Sequence, residues 1–220
     1  ELAGGFLFGE GLVAPGEILT IRYCEDVANT EQQFNVVTVR LRTPFDAARV
    51  QRNFYATSSC GVCGKASLEA VTVAFAGVGD GPVVDAEVIQ RLPDALRSAQ
   101  DVFEQTGGLH ATGLFDADGR LLEVREDVGR HNAMDKMIGA ELLAGRVPLA
   151  NRIALVSGRA SFELVQKAGA AGIPIVCAVS APSSLAVELA ERAGITLVGF
   201  LRAPRFVVYT HPERVAAHPG

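Results

Sequence analysis

Residues 152–200 read RIALVSGRASFELVQKAGAAGIPIVCAVSAPSSLAVELAERAGITLVGF. Three short apolar runs (152–157, 173–179 and 195–200) alternate with two stretches, 161–171 and 183–193, whose apolar residues recur at helical spacing. Strand and helix in alternation predict parallel strands joined by right-handed crossovers. Ligands of such sheets collect beyond the carboxyl ends of the strands. Those ends read Ser157-Gly158-Arg159, Ser180-Ala181-Pro182-Ser183 and Phe200-Leu201-Arg202. Each places small or hydroxyl residues before a helix start, where free N–H groups and the helix dipole attract anions. Helix capping alone would account for Ser161 and Ser183. Three exits with two arginines at one edge point further, to a phosphate-bearing ligand.

Upstream, segments 109–115 and 121–128 flank Asp116-Ala117-Asp118-Gly119-Arg120, a hairpin signal in which Asp-Gly supplies positive φ. A helix over 130–144 is expected to bury Met134, Met137, Ile138 and Leu142. Its entry, Glu126-Asp127-Val128-Gly129-Arg130-His131-Asn132-Ala133-Met134-Asp135-Lys136, is the densest polar stretch. Asn132 and Lys136 share one helix face, His131 and Asp135 another. They read either as exposed pairs or as a polar wall beside a ligand, and His110 faces the same choice. Leu92, Leu96, Ala99 and Phe103 predict a helix opening at Pro93 and ending at Gly107-Gly108. Glycines and Pro82 place a boundary near 77–91, dividing a β-rich region, 1–84, from an α/β domain, 85–220. The first region reads as a helix over 2–13 and strands over 17–24 and 34–41. The opening at Glu1 suggests that an N-terminal part is missing.

Ser59-Cys60-Gly61-Val62-Cys63-Gly64-Lys65 holds two of the four cysteines. Glycines on both sides make the pair pliable and accessible, and vicinal thiols or Lys65 favour the reactive thiolate. Sulfur or metal chemistry follows from that spacing. A structural zinc site needs about four ligands, and one Cys-x-x-Cys supplies two. A zinc nucleoside deaminase is excluded, because its cysteines follow its His-x-Glu and Thr112 stands where that glutamate would be. A thioredoxin-type pair would open a helix, which Gly61-Val62 does not. Cys24 and Cys177, in apolar runs, read as core residues.

The whole chain agrees with a cytoplasmic protein. It has 220 residues, 49% of them hydrophobic, enough for a large core without disulfides. No run of about 18 apolar residues and no leader pattern is seen, so neither a membrane span nor a secretory signal is expected. A net charge of −5 argues against a general nucleic-acid binder. Local cations such as Arg125, Arg130, Lys136, Arg159, Arg202 and Arg205 remain available to one phosphorylated ligand.

Taken in order, Gly5-Phe6-Leu7-Phe8-Gly9-Glu10-Gly11, Ser59-Cys60-Gly61-Val62-Cys63-Gly64, Thr106-Gly107-Gly108-Leu109-His110-Ala111, the Arg125–Lys136 block, Ser157-Gly158-Arg159-Ala160-Ser161-Phe162-Glu163 and Ser180-Ala181-Pro182-Ser183 resemble the signature blocks of the FdhD family. These are formate dehydrogenase accessory sulfurtransferases. The resemblance implies a three-layer α/β/α fold like that of cytidine deaminases, with a smaller β-rich N-terminal region, and a homodimer. It implies a sulfur carrier between a cysteine desulfurase and the molybdenum cofactor of formate dehydrogenase, bis-molybdopterin guanine dinucleotide, which a guanine nucleotide such as GDP would mimic. Cys60 would carry the persulfide with Cys63 as partner. The cofactor would lie on Phe200, Leu201, Arg202, Ala203, Pro204 and Arg205, with the exits Ser157, Gly158, Arg159, Ser180, Ala181 and Pro182, and without an intrinsic metal. A chaperone that binds this cofactor without moving sulfur is the alternative reading.

Overall fold

The computed structural model describes residues 1–24, 34–45 and 77–216. A six-stranded sheet in the order β5-β4-β6-β7-β8-β9 organises the chain. Its strands are β4 (His110–Phe115), β5 (Leu121–Asp127), β6 (Ile153–Val156), β7 (Ile175–Ala178), β8 (Thr196–Arg202) and β9 (Arg205–Thr210). The expected parallel core is β6, β7 and β8. Both flanks run the other way: β4 is antiparallel to β6 and to β5, and β9 is antiparallel to β8. The sheet is therefore mixed, because hairpins close each side of the crossover unit.

Period-two alternation sends neighbouring side chains to opposite faces. Ala154, Val156, Val176, Ala178 and Leu197 face one core with helices α1 (Leu2–Gly9), α4 (Arg130–Leu143), α5 (Phe162–Ala170) and α6 (Ser184–Ala193). Ile153, Leu155, Ile175, Cys177, Val198 and Leu201 face the second core with α2 (Ala86–Ser98). Helices on both faces make three layers, the architecture that apolar strands buried on two sides require. Cys177 is fully buried, and desolvation pushes its thiol up to about 12, so it is a packing residue rather than a nucleophile.

The helix expected to open at Pro93 instead begins at Ala86 and carries Pro93 in its interior. Val88, Ile89, Leu92 and Leu96 are its buried stripe. Burying such side chains contributes about 1.5–3 kcal/mol each, which together outweighs the roughly 3 kcal/mol cost of an internal proline. The chain then breaks at Ala99 and resumes as α3 (Asp101–Thr106), so Phe103 lies on a second, short helix, its ring 4.2 Å beneath the Arg97 guanidinium. Near the N-terminus the two expected strands, β1 (Ile18–Tyr23) and β2 (Val37–Leu41), pair as an antiparallel ribbon, and α1 ends at Gly9 rather than running to Val13. β3 (Val84–Asp85) pairs with β10 (Val215–Ala216). Arg214 strengthens that closure by donating to the carbonyls of Gly79 and Asp80 and to Thr196 Oγ1.

α1 packs on α4 with almost no space between the backbones. A Cβ added at Gly5 would overlap the Asp135 carbonyl oxygen, and one at Gly139 would overlap the Glu1 carbonyl oxygen. Below this crossing lies a buried charge cluster: Lys167 Nζ sits 2.8 Å from Asp135 Oδ1 and 3.2 Å from Glu10 Oε1. Burial outweighs the attraction of Lys167 and pushes the Asp135 carboxyl up to about 6.

Candidate functional site

Beyond the ends of β6, β7 and β8 the chain stays in hydrogen-bonded register. Ser180 N donates to the Gly158 carbonyl and Phe200 N to that of Ser180, both at 3.2 Å. Ser183 N donates to the Ala160 carbonyl at 3.0 Å, and Ala160 bridges Pro182. The three exits thus form one continuous edge. Antiparallel β4 delivers His110 to the same edge, opposite Asp127 at the end of β5. The His110 ring lies against Gly158, where an added Cβ would meet Nδ1 at 3.3 Å. Ser157 has a structural task, since its Oγ accepts from Ala111 N at 2.9 Å.

On the α4–α5 side the edge is polar. His131 Nε2 lies 2.8 Å from Ser161 Oγ and 3.7 Å from Glu163 Oε2. Ser161 precedes α5 yet makes no side-chain cap, whereas Ser183 caps α6 by accepting from Ala186 N at 3.2 Å. Burial, then the neighbouring Arg130 charge, lowers the His131 pKa below the ordinary histidine value, with Glu163 pulling the other way. That environment favours the neutral imidazole over the imidazolium. Arg130 Nε and Glu163 Oε2 are buried and have no hydrogen-bond partner among the described residues.

The other face of α4 is self-satisfied. Asp127 Oδ1 accepts from Gly129 N at 2.9 Å and from Asn132 Nδ2 at 3.0 Å, and Oδ2 pairs with Lys136 Nζ at 2.5 Å. Burial alone would raise this carboxyl, but Lys136 and the two other donors hold it below the usual range. Arg125 is paired with Glu1 and Glu123, and Glu126 accepts from Val102 N and Phe103 N at the start of α3. Two of the candidate cations, Arg125 and Lys136, are thus already neutralised.

On the α2 side the edge is apolar and open. Gly199 pairs with Val207 and Arg202 with Arg205, leaving Phe200 and Leu201 opposite Phe206 alone. This β-bulge re-aims the two side chains. Leu201 is fully buried in the second core, while Phe200 takes φ 51° and stays 46% exposed. Positive φ costs a bulky residue about 1–3 kcal/mol, a strain typical of ligand sites. Arg202, Ala203, Pro204 and Arg205 are exposed around a cis Ala203–Pro204 bond. A groove of about 460 Å³ is lined by Phe200, Pro204, Arg205, Phe206 and Val207 and by Ala86 and Gln90 of α2. Arg202 and Arg205 face each other across the hairpin and suit the diphosphate of a nucleotide-type cofactor.

Of the residues expected to form a cofactor site, the exits and the 200–205 segment come together along one edge. Arg159 is exposed there, and Ala181 and Pro182 are half-buried in the middle loop. Cys60 and Cys63 lie outside the described residues. Ala86 and Gln90 were hidden from the sequence reading by the late helix start at Pro93. The stripe of Val88, Ile89, Leu92 and Leu96 is the signal that reveals them.

The FdhD/NarQ family model matches residues 1–216. A sulfur carrier protein FdhD from Mycolicibacterium paratuberculosis is 55% identical over 224 residues, covering 98% of this chain and 81% of the relative. One of the same name from Saccharolobus solfataricus is 46% identical over 215 residues, covering 98% and 79%. A crystal structure from Desulfotalea psychrophila, described as a formate dehydrogenase accessory protein, superposes with a TM-score of 0.71 at 31% identity, covering 98% of this chain and 78% of the other.

Proposed function

Because this chain belongs to the FdhD/NarQ family, we propose that it is a sulfurtransferase carrying persulfide sulfur from a cysteine desulfurase to the molybdenum cofactor of formate dehydrogenase. The observation that carries the reading is the 55% identity, over nearly the whole chain, to a protein named as a sulfur carrier. The Cys60 thiolate attacks the outer sulfur of the desulfurase's cysteine persulfide; the donor leaves as a thiolate and Cys60 becomes a persulfide. The Cys63 thiolate then attacks the inner sulfur of that persulfide. A Cys60–Cys63 disulfide forms, the outer sulfur departs as hydrosulfide toward the acceptor, and a cellular dithiol reduces the disulfide for the next round.

In this reading residues 1–84 carry the thiols and residues 85–220 hold the acceptor, bis-molybdopterin guanine dinucleotide. Arg202 and Arg205 take its phosphates, while the 157–159 and 180–182 loops form the backbone edge beside them. The bound cofactor supplies the metal that receives the sulfur. The protein works as a homodimer in the cytoplasm.

Transfer of radiolabelled sulfur from a cysteine desulfurase tests the assignment. Wild-type protein should acquire label on Cys60, and Cys60→Ala should acquire none while binding GDP as before. Label retained by Cys60→Ala would refute the carrier residue. Failure of the wild type to acquire label, with GDP binding intact, would leave the cofactor chaperone reading instead.

A further inference from the structure

The polar end of the strand edge lies on the α4–α5 side. Leu114 of β4 and Val156 of β6, the partner of Thr112, both face the core that α4 and α5 cover. Period-two alternation puts His110 and Thr112 on that same face, so His110 stands on the side of His131 and away from the hairpin groove. The charged and titratable groups around His131 are Arg130 on α4, Glu163 and Lys167 on α5 and His110 on β4. Thr112 Oγ1, Arg130 Nε and Glu163 Oε2 are buried and have no hydrogen-bond partner among the described residues. Such unused bonding capacity needs an explanation, and a reacting ligand is one.

The chemistry of the cluster narrows its role. The Glu163 carboxylate opposes a bound anion, and among the described residues no three metal-ligating groups converge. A neutral histidine beside a hydroxyl suits proton transfer instead. His131 Nε2 lies 2.8 Å from Ser161 Oγ, and Ser161 forgoes the helix cap that Ser183 makes. A hydroxyl donates and accepts at once, so Ser161 can pass a proton to an unprotonated Nε2. Glu163 Oε2, 3.7 Å from Nε2, stabilises the imidazolium that forms. The histidine side chain is 37% exposed and can return the proton to solvent. In the strand order β4-β6-β7-β8 this end stands three strand spacings, about 14 Å, from β8. A dinucleotide-type acceptor anchored by its phosphates at Arg202 and Arg205 is long enough to span that distance.

We propose that His131 is the base that receives the proton of the transferred hydrosulfide, relayed through Ser161, at the end of the edge remote from Arg202 and Arg205. This rests on the sulfur-carrier reading above and adds to it the residues that take up the proton. Hydrosulfide carries one proton, and coordination to a metal makes a sulfur ligand shed it. The S–H bond breaks with its electron pair left on sulfur, and Ser161 Oγ takes that proton as its own passes to His131 Nε2. Nothing is oxidised or reduced.

The test is single-turnover transfer from the full chain, preloaded on Cys60 with radiolabelled sulfur, to formate dehydrogenase carrying the cofactor without its sulfur. The readout is label moved, from samples of equal label content, at pH values across the ordinary histidine pKa. Above that pKa His131→Gln and Ser161→Ala should each transfer about 100-fold more slowly than wild type. The ratio of wild-type to variant rates, in which titration of the thiols cancels, should shrink as pH falls, because a protonated histidine is no base. Its midpoint should match the His131 titration followed by NMR. If either variant transfers like wild type, or is slowed by the same factor at every pH, this inference fails while the carrier reading stands. If wild type acquires no label from the desulfurase, or holds it without passing it on, the carrier reading fails as well. Far-UV circular dichroism checks that each variant is folded; should His131→Gln unfold, Ser161→Ala decides alone.

Discussion

Ser161 and Ser183 hold equivalent positions, each immediately before a helix of the same layer, yet their hydroxyls do different work. Ser183 caps α6, so Ser183→Ala is expected to lower stability by about 1 kcal/mol, read from urea unfolding. Ser161 instead meets His131 from the neighbouring helix. The sequence reading offered capping for both, and nothing within either segment distinguishes them; the difference arises only because α4 stands beside α5. His131 itself carries a pH prediction. Its folded pKa is depressed, chiefly by burial, so the folded state binds fewer protons than the unfolded chain. This contribution to stability is fully present above the ordinary histidine pKa and is lost as pH falls below it. Urea midpoints measured across that range should therefore drop toward acid in wild type and drop less in His131→Gln. An equal slope in both proteins would show that His131 is not the group responsible.

Among the elements, α1 and α4 have the tightest relationship. Gly5 and Gly139 are the residues whose missing Cβ atoms let the two backbones touch. Gly5→Ala should force the helices apart and cost about 1–3 kcal/mol in chemical denaturation, despite alanine's better helix propensity. Gly11, where nothing lies within 4 Å of an added Cβ but φ is 68°, should respond through backbone strain instead. α2 teaches a different lesson. Its proline suggested a start, because proline is favoured at the first helical position. Tertiary burial of Ile89 and Leu92 overrides that preference. The hairpin around Asp116–Gly119 and the alternation over 152–200 were legible because their signals act over a few residues, whereas the β8–β9 hairpin hid behind an irregular bulge.

At the scale of the whole molecule, Asp135, Lys167 and Glu10 join three helices through one charge cluster. Removing one member strands a buried charge, so Lys167→Met is expected to cost about 3–5 kcal/mol. Replacing both partners, as in Asp135→Leu/Lys167→Met, should recover most of that loss, and a double-mutant cycle by chemical denaturation measures the coupling. Simple addition of the two single effects would contradict it. With folded pKa raised to about 6, Asp135 binds protons more readily in the folded state. Its contribution is fully present below the unfolded carboxylate pKa and is lost as pH rises through about 6. The sequence by itself determined the layered α/β class, the three strand exits and the family blocks, since apolar period, turn residues and motif spacing are local properties of the chain. Only the tertiary structure decided which polar residues meet: His131 with Ser161 across 30 positions and Lys167 with Glu10 across 157. Hydrogen bonds and ion pairs act over a few ångströms of space and carry no signature in sequence separation, so the folded sheet alone brings those partners together.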